Sequence, residues 1–312
     1  MIFSQGRHMN NDFHAYFKTG IVHFMAFPEI VSDSAKTEPT VMQIAVDDYF
    51  EVIEMTLIEE DEIRKKVKSI LECASMEVVF GAQPVLLRQN LNINDENDTV
   101  REKSVSVLKR CIDQAYKIGA TGLSFLSGKF NKERLEHAFE LLVESTEEIC
   151  KYAREKGNMM IELEVFDHEI DKKSLIGPVE LAEKFGKRIR EKYDNFGLLI
   201  DLSHLPLLKE KPSETIPRLK DFLTHIHIGN CLLSDRNSPV YGDYHPRFGY
   251  PGSENDVAEL TEFLQVLVNT GFFNKKTRPI VSFEIKPAPG EHSEIIIANA
   301  KRTLNRAWLG VK

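Results

Sequence analysis

The feature that most constrains this chain is an alternation of short apolar runs with longer amphipathic segments along nearly its whole length. The short runs are rich in Val, Ile, Leu and Phe, which is typical of strands buried on both faces. The longer segments space their apolar residues at helical intervals. Strand candidates cover residues 19–27, 49–58, 76–87, 121–128, 159–167, 196–204, 224–230 and 279–287, and helix candidates include 61–75, 100–119, 134–157, 178–193 and 257–271. Such an alternation predicts a parallel sheet covered by helices.

Two closures of this sheet are open, a doubly wound sheet and a (β/α)8 barrel. No G-x-G-x-x-G follows the first strand, and eight strand candidates in 312 residues suit the barrel better. No Pro-, Gly- or Ser-rich linker divides the chain. We therefore predict a single α/β domain over residues 1–312, a parallel eight-stranded TIM barrel with outer helices. Residues 1–12 are expected to be disordered or tag-derived, because GRHM at 6–9 is typical of a cloning scar before a native start at Met9.

Composition and charge exclude several classes of protein. With 42% hydrophobic and 28% charged residues, the chain can bury a sizeable core. A formal net charge of -8 gives no basic footprint, so neither a nucleic-acid partner nor a membrane surface is expected. The four cysteines form no C-x-x-C pair, and no apolar run approaches the roughly 20 residues that span a bilayer. These features favour a cytoplasmic protein.

Four consecutive strand candidates end in residues that bind metals. They are Glu164, Asp201, His227 and Glu284. Because the strands of such a barrel all end at the face that carries the active site, we expect these side chains to meet there. Three carboxylates and one imidazole suit Mn²⁺, Mg²⁺ or Co²⁺, and Zn²⁺ also fits. A divalent ion would explain why Asp201 ends a strand that is otherwise apolar.

Period-two alternation predicts a second polar layer beneath these four residues. Glu162 and His225 each lie two positions before a predicted ligand, so they should point to the same face of the barrel. We expect them to form a hydrogen-bonded pair that supports the ligands, with a structural ion pair as the alternative. His204 follows Asp201 by one turn, where it contacts substrate, acts as an outer ligand or caps the next loop.

Short motifs in the same strands resemble those of the xylose isomerase-like TIM-barrel superfamily, in its sugar phosphate isomerase/epimerase branch. The matches are Leu163-Glu164, the D-x-x-H of 201–204, the H-x-H-x-G of 225–229 and the F-E-x-K-P of 283–287, and the resemblance runs from about Phe17 onward. Ketose 3-epimerases and endonuclease IV are relatives in this superfamily.

The resemblance implies a metal-dependent isomerase or epimerase of a small sugar or polyol. In ketose 3-epimerases of this kind, the equivalents of Glu164, Asp201, His227 and Glu284 hold the metal, and the two glutamates also move the proton. The reaction would pass through a metal-stabilised enediolate. Lys286 is expected to polarise a substrate oxygen, or to pair with the acidic cluster. Homodimers or homotetramers are typical of the branch.

The loop of residues 242–256 follows the seventh strand and is rich in Gly, Pro and polar residues. Its Asp243-x-His245 resembles the pair that completes a multi-zinc site in the endonuclease IV branch, so both are candidate ligands of a second metal. In the epimerase branch this loop contacts substrate, for which His245 and Arg247 are candidates. His23, at the end of the first strand candidate, either enters the barrel mouth as a substrate contact or faces the helices; Glu54 carries the same ambiguity.

Three functions therefore stay open. The leading hypothesis is the sugar isomerase or epimerase. The second keeps the barrel and metal but changes the reaction, to a lyase or dehydratase of the inosose type or to an endonuclease IV-like phosphodiester hydrolase. The third is a non-catalytic sugar-binding barrel. No Gly-rich loop of the phosphate-binding kind follows the seventh or eighth strand, which favours a substrate without phosphate.

Overall fold

Eight parallel strands close into a barrel in the computed structural model, which describes residues 12–273 and 276–312. Each strand pairs with the next along the chain, and the first pairs with the last. The strands are β1 (Lys18–Val22), β2 (Val52–Met55), β3 (Glu77–Gly81), β4 (Gly122–Leu126), β5 (Met160–Val165), β6 (Phe196–Asp201), β7 (Leu223–Gly229) and β8 (Ile280–Glu284). The predicted (β/α)8 barrel is confirmed. The proposed scar and start site at Met9 lie outside the described residues, whereas Asp12 caps a short 3-10 helix.

Helices follow the strands and surround the barrel. They are α1 (His23–Ala26), α2 (Thr37–Ala45), α3 (Asp61–Cys73), α4 (Gln83–Arg88), α5 (Asp98–Ile118), α6 (Leu135–Lys156), α7 (Val179–Arg190), α8 (His204–Leu208), α9 (Pro212–Leu219), α10 (Val257–Asn269) and α11 (Ser293–Leu309). The five predicted helical segments correspond to α3, α5, α6, α7 and α10. Within the described ranges, no helix is both long and apolar enough to cross a membrane.

Three strand candidates were predicted too long. The apolar runs that begin with β1, β3 and β6 continue directly into the short helices α1, α4 and α8. Hydrophobicity alone does not separate a strand from a short buried helix that follows it. These helices lie at the carboxyl ends of the strands, so they help to build the mouth of the barrel.

The apolar core lies between the strands and the outer helices. On β5, Leu163 is fully buried, and its neighbours Glu162 and Glu164 point to the opposite face. The ring of Phe185 on α7 packs edge-on against Phe196 of β6, with ring centroids 5.7 Å apart. Aromatic contacts of this kind fix the helices against the outside of the barrel. The inner face of β5 carries the polar side chains of Glu162 and Glu164.

A β-bulge in β7 sets the orientation of its two histidines. Leu198 of β6 pairs with Leu223, but Leu199 pairs with His225, so Thr224 is an extra residue in β7. From that point the alternation carries His225 and His227 to the same inward face. Asp201 then pairs directly with His227 at the end of the two strands.

Candidate metal centre at the barrel mouth

The structure brings the four predicted metal ligands together. Glu164, Asp201, His227 and Glu284 end or nearly end four consecutive strands, and all four are buried. Each offers one ligand atom, and these four atoms lie within 4.8 Å of one another. His227 Nδ1 lies 2.7 Å from Glu284 Oε2 and 3.6 Å from Glu164 Oε1. The predicted cluster therefore exists as a compact group of donor atoms.

The donor set fits a divalent cation. Glu164 Oε1 and Asp201 Oδ2 are buried and have no hydrogen-bond partner among the described residues. An uncompensated buried carboxylate oxygen is costly, and a cation between the four side chains would compensate both oxygens at once. Carboxylate oxygens with one imidazole suit Mn²⁺, Mg²⁺, Co²⁺ or Zn²⁺.

Close backbone approach makes this cluster possible at Gly229. A Cβ at this position would lie 2.8 Å from the Glu284 carbonyl oxygen and 2.9 Å from His245 Nδ1. Any side chain there would push β8 or the loop after β7 away from the ligands. The last residue of the H-x-H-x-G motif is thus explained by space at the site.

Glu54 contacts the ring nitrogen of His227 that faces away from the other ligands. The sequence left the direction of the Glu54 side chain ambiguous. His227 Nε2 lies 3.0 Å from Glu54 Oε1, which leaves Nδ1 facing Glu284 and Glu164. Glu54 Oε1 is also 3.0 Å from His225 Nε2. These three residues form a further group of donor atoms within 4.8 Å, but the Glu54 carboxylate is already engaged with both imidazoles. Burial raises the pKa of Glu54, yet the charges of His227 and His225 outweigh burial and hold it well below its usual range.

Glu162 and His225 form the pair that was predicted beneath the ligands. His225 Nδ1 lies 3.1 Å from Glu162 Oε2, and the Thr224 hydroxyl donates to Glu162 Oε1 at 2.7 Å. Burial lowers the pKa of His225, but Glu54 and Glu162 on its two sides raise it to about 9. A protonated His225 would therefore bridge two buried carboxylates.

Gln83 is a site residue that the sequence analysis missed. It begins α4 immediately beyond β3, and its Nε2 donates to Glu164 Oε2 at 2.7 Å and to Ser124 Oγ at 3.0 Å. One carboxylate oxygen of Glu164 is thus fixed, while the other faces the ligand cluster. The signal was present, because Gln83 precedes Pro84 and a Pro in the first turn marks a helix start at the end of an apolar run.

A second cluster, made of His204, Asp243 and His245, lies beside the first. Asp243 Oδ1 is 3.0 Å from Nε2 of both histidines. The oxygen is close to both rings, but within the described part of the chain it has no partner at an angle that makes a hydrogen bond. His204 Nδ1 donates to the Val165 carbonyl at 2.8 Å, so its Nε2 presents a lone pair to the cluster when the ring is neutral. The imidazole of His204 thus lies beside the two predicted second-metal ligands and is hydrogen-bonded to the end of β5.

The two clusters are adjacent, and His245 lies between them. His245 Nδ1 lies 3.7 Å from Asp201 Oδ2, and His245 Nε2 lies 3.7 Å from Glu284 Oε1. A buried ligand group also forms from Asp201, His204 and His245. Ligand atoms at such separations suit two neighbouring ions as well as one ion with a nearby proton donor.

Negative charge within the second cluster raises the pKa of both imidazoles. Burial lowers the pKa of His204, but Asp243 and Asp201 raise it to about 10. For His245, burial again lowers the pKa, whereas Glu284 and Asp243 raise it to about 9. Burial is the main cause of a raised pKa at Asp201. Protons and a divalent cation would therefore compete for the same carboxylates.

A cavity of about 460 Å³ opens above the clusters. One side carries ligand carboxylates and imidazoles, and the other side is apolar. Two lysines also line the cavity: Lys172 pairs with Asp243, and Lys286 lies half-buried near Tyr244. Burial and the charge of Lys172 lower the pKa of Lys286. The apolar side consists of Phe24, Met25, Pro28, Val31, Leu87 and Phe166.

Two predicted substrate contacts have to be corrected. Strand β1 ends at Val22, and His23 is turned into the protein, with its Nε2 2.9 Å from Thr40 Oγ1. Arg247 donates through Nε to Glu291 Oε1 at 2.8 Å. Neither residue lines the cavity. The side chain of His23 contacts α2 through Thr40. Arg247 binds Glu291 and the carbonyl oxygens of its own loop.

These observations define a parallel (β/α)8 barrel with a carboxylate–histidine centre at the carboxyl ends of its strands. Residues 41–302 match the family described as xylose isomerase-like TIM barrel. The chain belongs to this family. No curated protein sequence gives a significant match.

Solved structures with this fold are similar over nearly the whole chain. D-psicose 3-epimerase from Clostridium cellulolyticum H10 is 17% identical, with 94% of this chain and 96% of that one covered and a TM-score of 0.64. The IolI protein with a bound zinc atom is 15% identical, with 94% and 98% covered and a TM-score of 0.68. The 3-keto-D-glucoside 4-epimerase YcjR from E. coli is 10% identical, with 92% and 98% covered and a TM-score of 0.63. At these identities the likeness establishes the fold.

Proposed function

We propose that this protein is a divalent-metal-dependent isomerase or epimerase of a small sugar or polyol. The observation that carries the proposal is the convergence of Glu164, Asp201, His227 and Glu284, with two carboxylate oxygens left without a hydrogen bond among the described residues. The cavity above them is large enough for a monosaccharide. Several solved structures of this fold are sugar epimerases by name, which supports the same class of substrate.

In this proposal the four residues hold the ion. When bound, the ion supplies a positive charge that stabilises negative charge on substrate oxygens beside the carbon that loses its proton. Glu164 and Glu284 belong to β5 and β8, which are separated by two strands of the barrel. Carboxylates that approach the substrate from two sides allow one to remove the proton and the other to return it.

Surrounding residues would hold these groups and the substrate in place. Gln83 fixes one oxygen of Glu164, and Glu54 fixes the ring of His227. The pair of Glu162 and His225 supports Glu54 from below. The apolar side of the cavity, which includes Phe24 and Phe166, would limit water around the reacting carbon.

Two residues of the cavity wall, His245 and Lys286, remain candidates for substrate contacts. His204 does not line the cavity but lies 3.0 Å from Asp243, which does. Imidazolium and ammonium groups donate hydrogen bonds to hydroxyl and carbonyl oxygens, which would orient a sugar over the ion. The native metal stays open between Mn²⁺, Mg²⁺, Co²⁺ and Zn²⁺, and the predicted homodimer or homotetramer stays a prediction.

The direct test combines metal analysis with proton exchange. Purified protein is loaded with each of the four metals, and a panel of ketoses, polyol-derived ketones and ketose phosphates is incubated in D₂O and followed by NMR. We expect bound metal and deuterium incorporation beside the carbonyl of at least one ketose. A metal-loaded protein that exchanges no proton in any ketose, polyol-derived ketone or ketose phosphate would contradict the proposal.

A second candidate function is a metal-dependent phosphodiester hydrolase, favoured by the geometry of His204, Asp243 and His245. Ligand atoms of Asp201, His204 and His245 lie within 4.8 Å of one another, and Asp243 Oδ1 lies 3.0 Å from Nε2 of both histidines, so these residues would suit a second ion beside the first. Two neighbouring ions are typical of phosphoryl hydrolysis. Elemental analysis of wild type and of Asp243→Ala/His245→Ala separates the two functions. One ion that survives the double change favours the isomerase, whereas two ions with one lost favour the hydrolase.

A further inference from the structure

Lys172 places a positive charge against the second cluster. Its Nζ lies 2.8 Å from Asp243 Oδ2, whereas His204 and His245 contact the other oxygen of the same carboxylate. The side chain of Asp243 is only 1% exposed, and that of Lys172 is 19% exposed. A buried carboxylate is costly unless positive charge lies close to it. Lys172 supplies this charge from within the chain.

The loop after β5 holds Lys172 in a fixed position. The buried carboxylate of Asp167 accepts hydrogen bonds at 2.6 to 2.8 Å from three backbone N–H groups of this loop, those of Ile170, Asp171 and Lys172. Asp171 Oδ1 lies 3.2 Å from Lys172 Nζ, and Asp171 Oδ2 accepts from the Asp243 backbone N–H at 3.0 Å. The loops after β5 and β7 are therefore joined where the ammonium meets the cluster, and the position of the charge is built into the fold.

A second metal ion would have to share Asp243 with this ammonium. His204, Asp243 and His245 offer two imidazole nitrogens and one carboxylate oxygen, a set that divalent metals bind. The set contains one carboxylate, and Lys172 already compensates it. Asp171 adds a further negative charge, but its side chain is 36% exposed and its charge is more strongly screened by solvent. Repulsion from the ammonium therefore opposes a second ion, although ligand atoms for it are present.

We propose that the ammonium group of Lys172 takes the place of a second metal ion and keeps the centre at one ion. With Asp243 compensated in this way, His245 stays available on the cavity wall to donate a hydrogen bond to a substrate oxygen. Lys172 is thus a positioning residue that acts through Asp243. This inference rests on the proposed function and identifies the residue that separates it from a two-metal hydrolase.

The experiment counts the ions that each variant binds. Wild type, Lys172→Met, Lys286→Met and the double variant Lys172→Met/Asp243→Asn are titrated with Zn²⁺ and with Mn²⁺. Free metal is removed by gel filtration, bound metal is measured by elemental analysis, and competition with a chelator gives the affinities.

Lys286→Met is the matched control for loss of a cavity ammonium. Lys286 lines the same cavity, but its Nζ lies over the ring of Tyr244, 4.5 Å from the centroid. Circular dichroism shows whether each variant folds. If Lys172→Met does not fold, Lys172→Gln, which keeps a polar end at this position, is measured in its place.

We expect one ion in wild type and in Lys286→Met, and two ions in Lys172→Met. The second ion should bind Lys172→Met roughly 10-fold or more tightly than it binds wild type, because removal of a like charge beside a buried site relieves repulsion. The double variant Lys172→Met/Asp243→Asn should return to one ion, which would assign the second ion to Asp243.

Three results would overturn the inference and spare the proposed function, provided that proton exchange in D₂O persists in wild type. The first is a wild type that binds two ions, which requires no variant to fold. The second is a folded Lys172→Met or Lys172→Gln that still binds one ion. The third is a second ion in Lys286→Met, which would assign the effect to the total charge of the cavity. In contrast, wild type that binds one ion and exchanges no proton would contradict the proposed function, while the ion counts still decide the role of Lys172.

Discussion

The two halves of the barrel mouth are built differently. Strands β5 to β8 supply all four members of the metal cluster, and the loop after β7 adds Asp243 and His245. Strands β1 to β4 and the short helices after them supply Glu54 and Gln83, which contact cluster residues from behind, together with most of the apolar wall. One half therefore presents the charges, and the other half positions them and shapes the cavity. This division predicts which substitutions abolish the chemistry and which only weaken it.

The largest effect is expected in the carboxyl-terminal half, at Glu284. Glu284→Gln keeps the size of the side chain but removes a proposed base and a charge at the ion. Turnover of any confirmed substrate should fall at least about 10³-fold, because a positioned acid or base contributes roughly 10²–10⁴-fold and metal binding weakens as well. Glu164→Gln should behave in the same way.

Proton exchange in D₂O, with metal content measured on the same sample, checks this prediction. Glu51→Gln is a suitable control, because Glu51 lies before β2 and pairs with Arg278, away from the cavity. Full activity of Glu284→Gln would refute the proposal that two glutamates share the proton transfer.

Glu54 should give the next largest effect. Glu54→Gln leaves a neutral amide beside His227 Nε2. The imidazole then lacks the carboxylate that, in the wild type, both orients the ring and raises its basicity. We expect metal affinity to fall about 10–100-fold, in line with other carboxylate–histidine–metal arrangements. Glu162→Gln should cost less, because Glu162 acts through His225. Competition with a fluorescent chelator measures both, and a larger loss for Glu162→Gln would reverse the proposed order.

The halves also differ in how far the sequence predicted them. Glu164, Asp201, His227 and Glu284 are polar residues that end apolar runs, and the register of a strand is enough to place them at the mouth. Glu54 and Gln83 gave a weaker signal. Glu54 is one of four buried residues in a strand without a clear alternation, and Gln83 lies where a strand candidate continues into α4. Their function depends on contacts between distant strands, which no local pattern records.

The same reasoning explains the two corrected residues. His23 and Arg247 are placed next to the mouth by sequence position, but the direction of each side chain is decided by a partner elsewhere. The hydroxyl of Thr40 on α2 contacts His23 Nε2, and Glu291 after β8 accepts a hydrogen bond from Arg247. The position of a polar residue next to the mouth therefore does not decide by itself whether its side chain enters the cavity.

Metal removal should have a moderate effect on stability. The four proposed ligands come from strands β5 to β8. An ion that binds among them binds the folded protein and not the unfolded chain, so it stabilises the folded state. Loading at about 100 times the dissociation constant should add about 2.7 kcal/mol to the free energy of unfolding. For a chain of this size we expect a rise in Tm of several degrees over protein treated with EDTA, measured by scanning fluorimetry. An unchanged Tm would contradict binding of the ion to the folded cluster.

Gln83→Leu should act on turnover rather than on metal binding. The change removes the donor to Glu164 Oε2 but leaves the charge and the four ligands intact. Loss of a hydrogen bond to a charged group costs about 1.5–3 kcal/mol, so kcat should fall roughly 10–100-fold with little change in metal stoichiometry. Loss of the metal from this variant would instead assign Gln83 to ligand assembly.

Arg247→Gln should have the smallest effect of all and sharpens the comparison between predicted and observed contacts. The side chain is engaged by Glu291 and by the carbonyls of Phe248 and Gly249, and it does not line the cavity. A partly exposed ion pair contributes about 0–1 kcal/mol, so the Tm should fall only slightly. KM for a confirmed sugar should change less than about twofold. A large rise in KM for Arg247→Gln would mean that the loop rearranges on binding and that the predicted substrate contact was right.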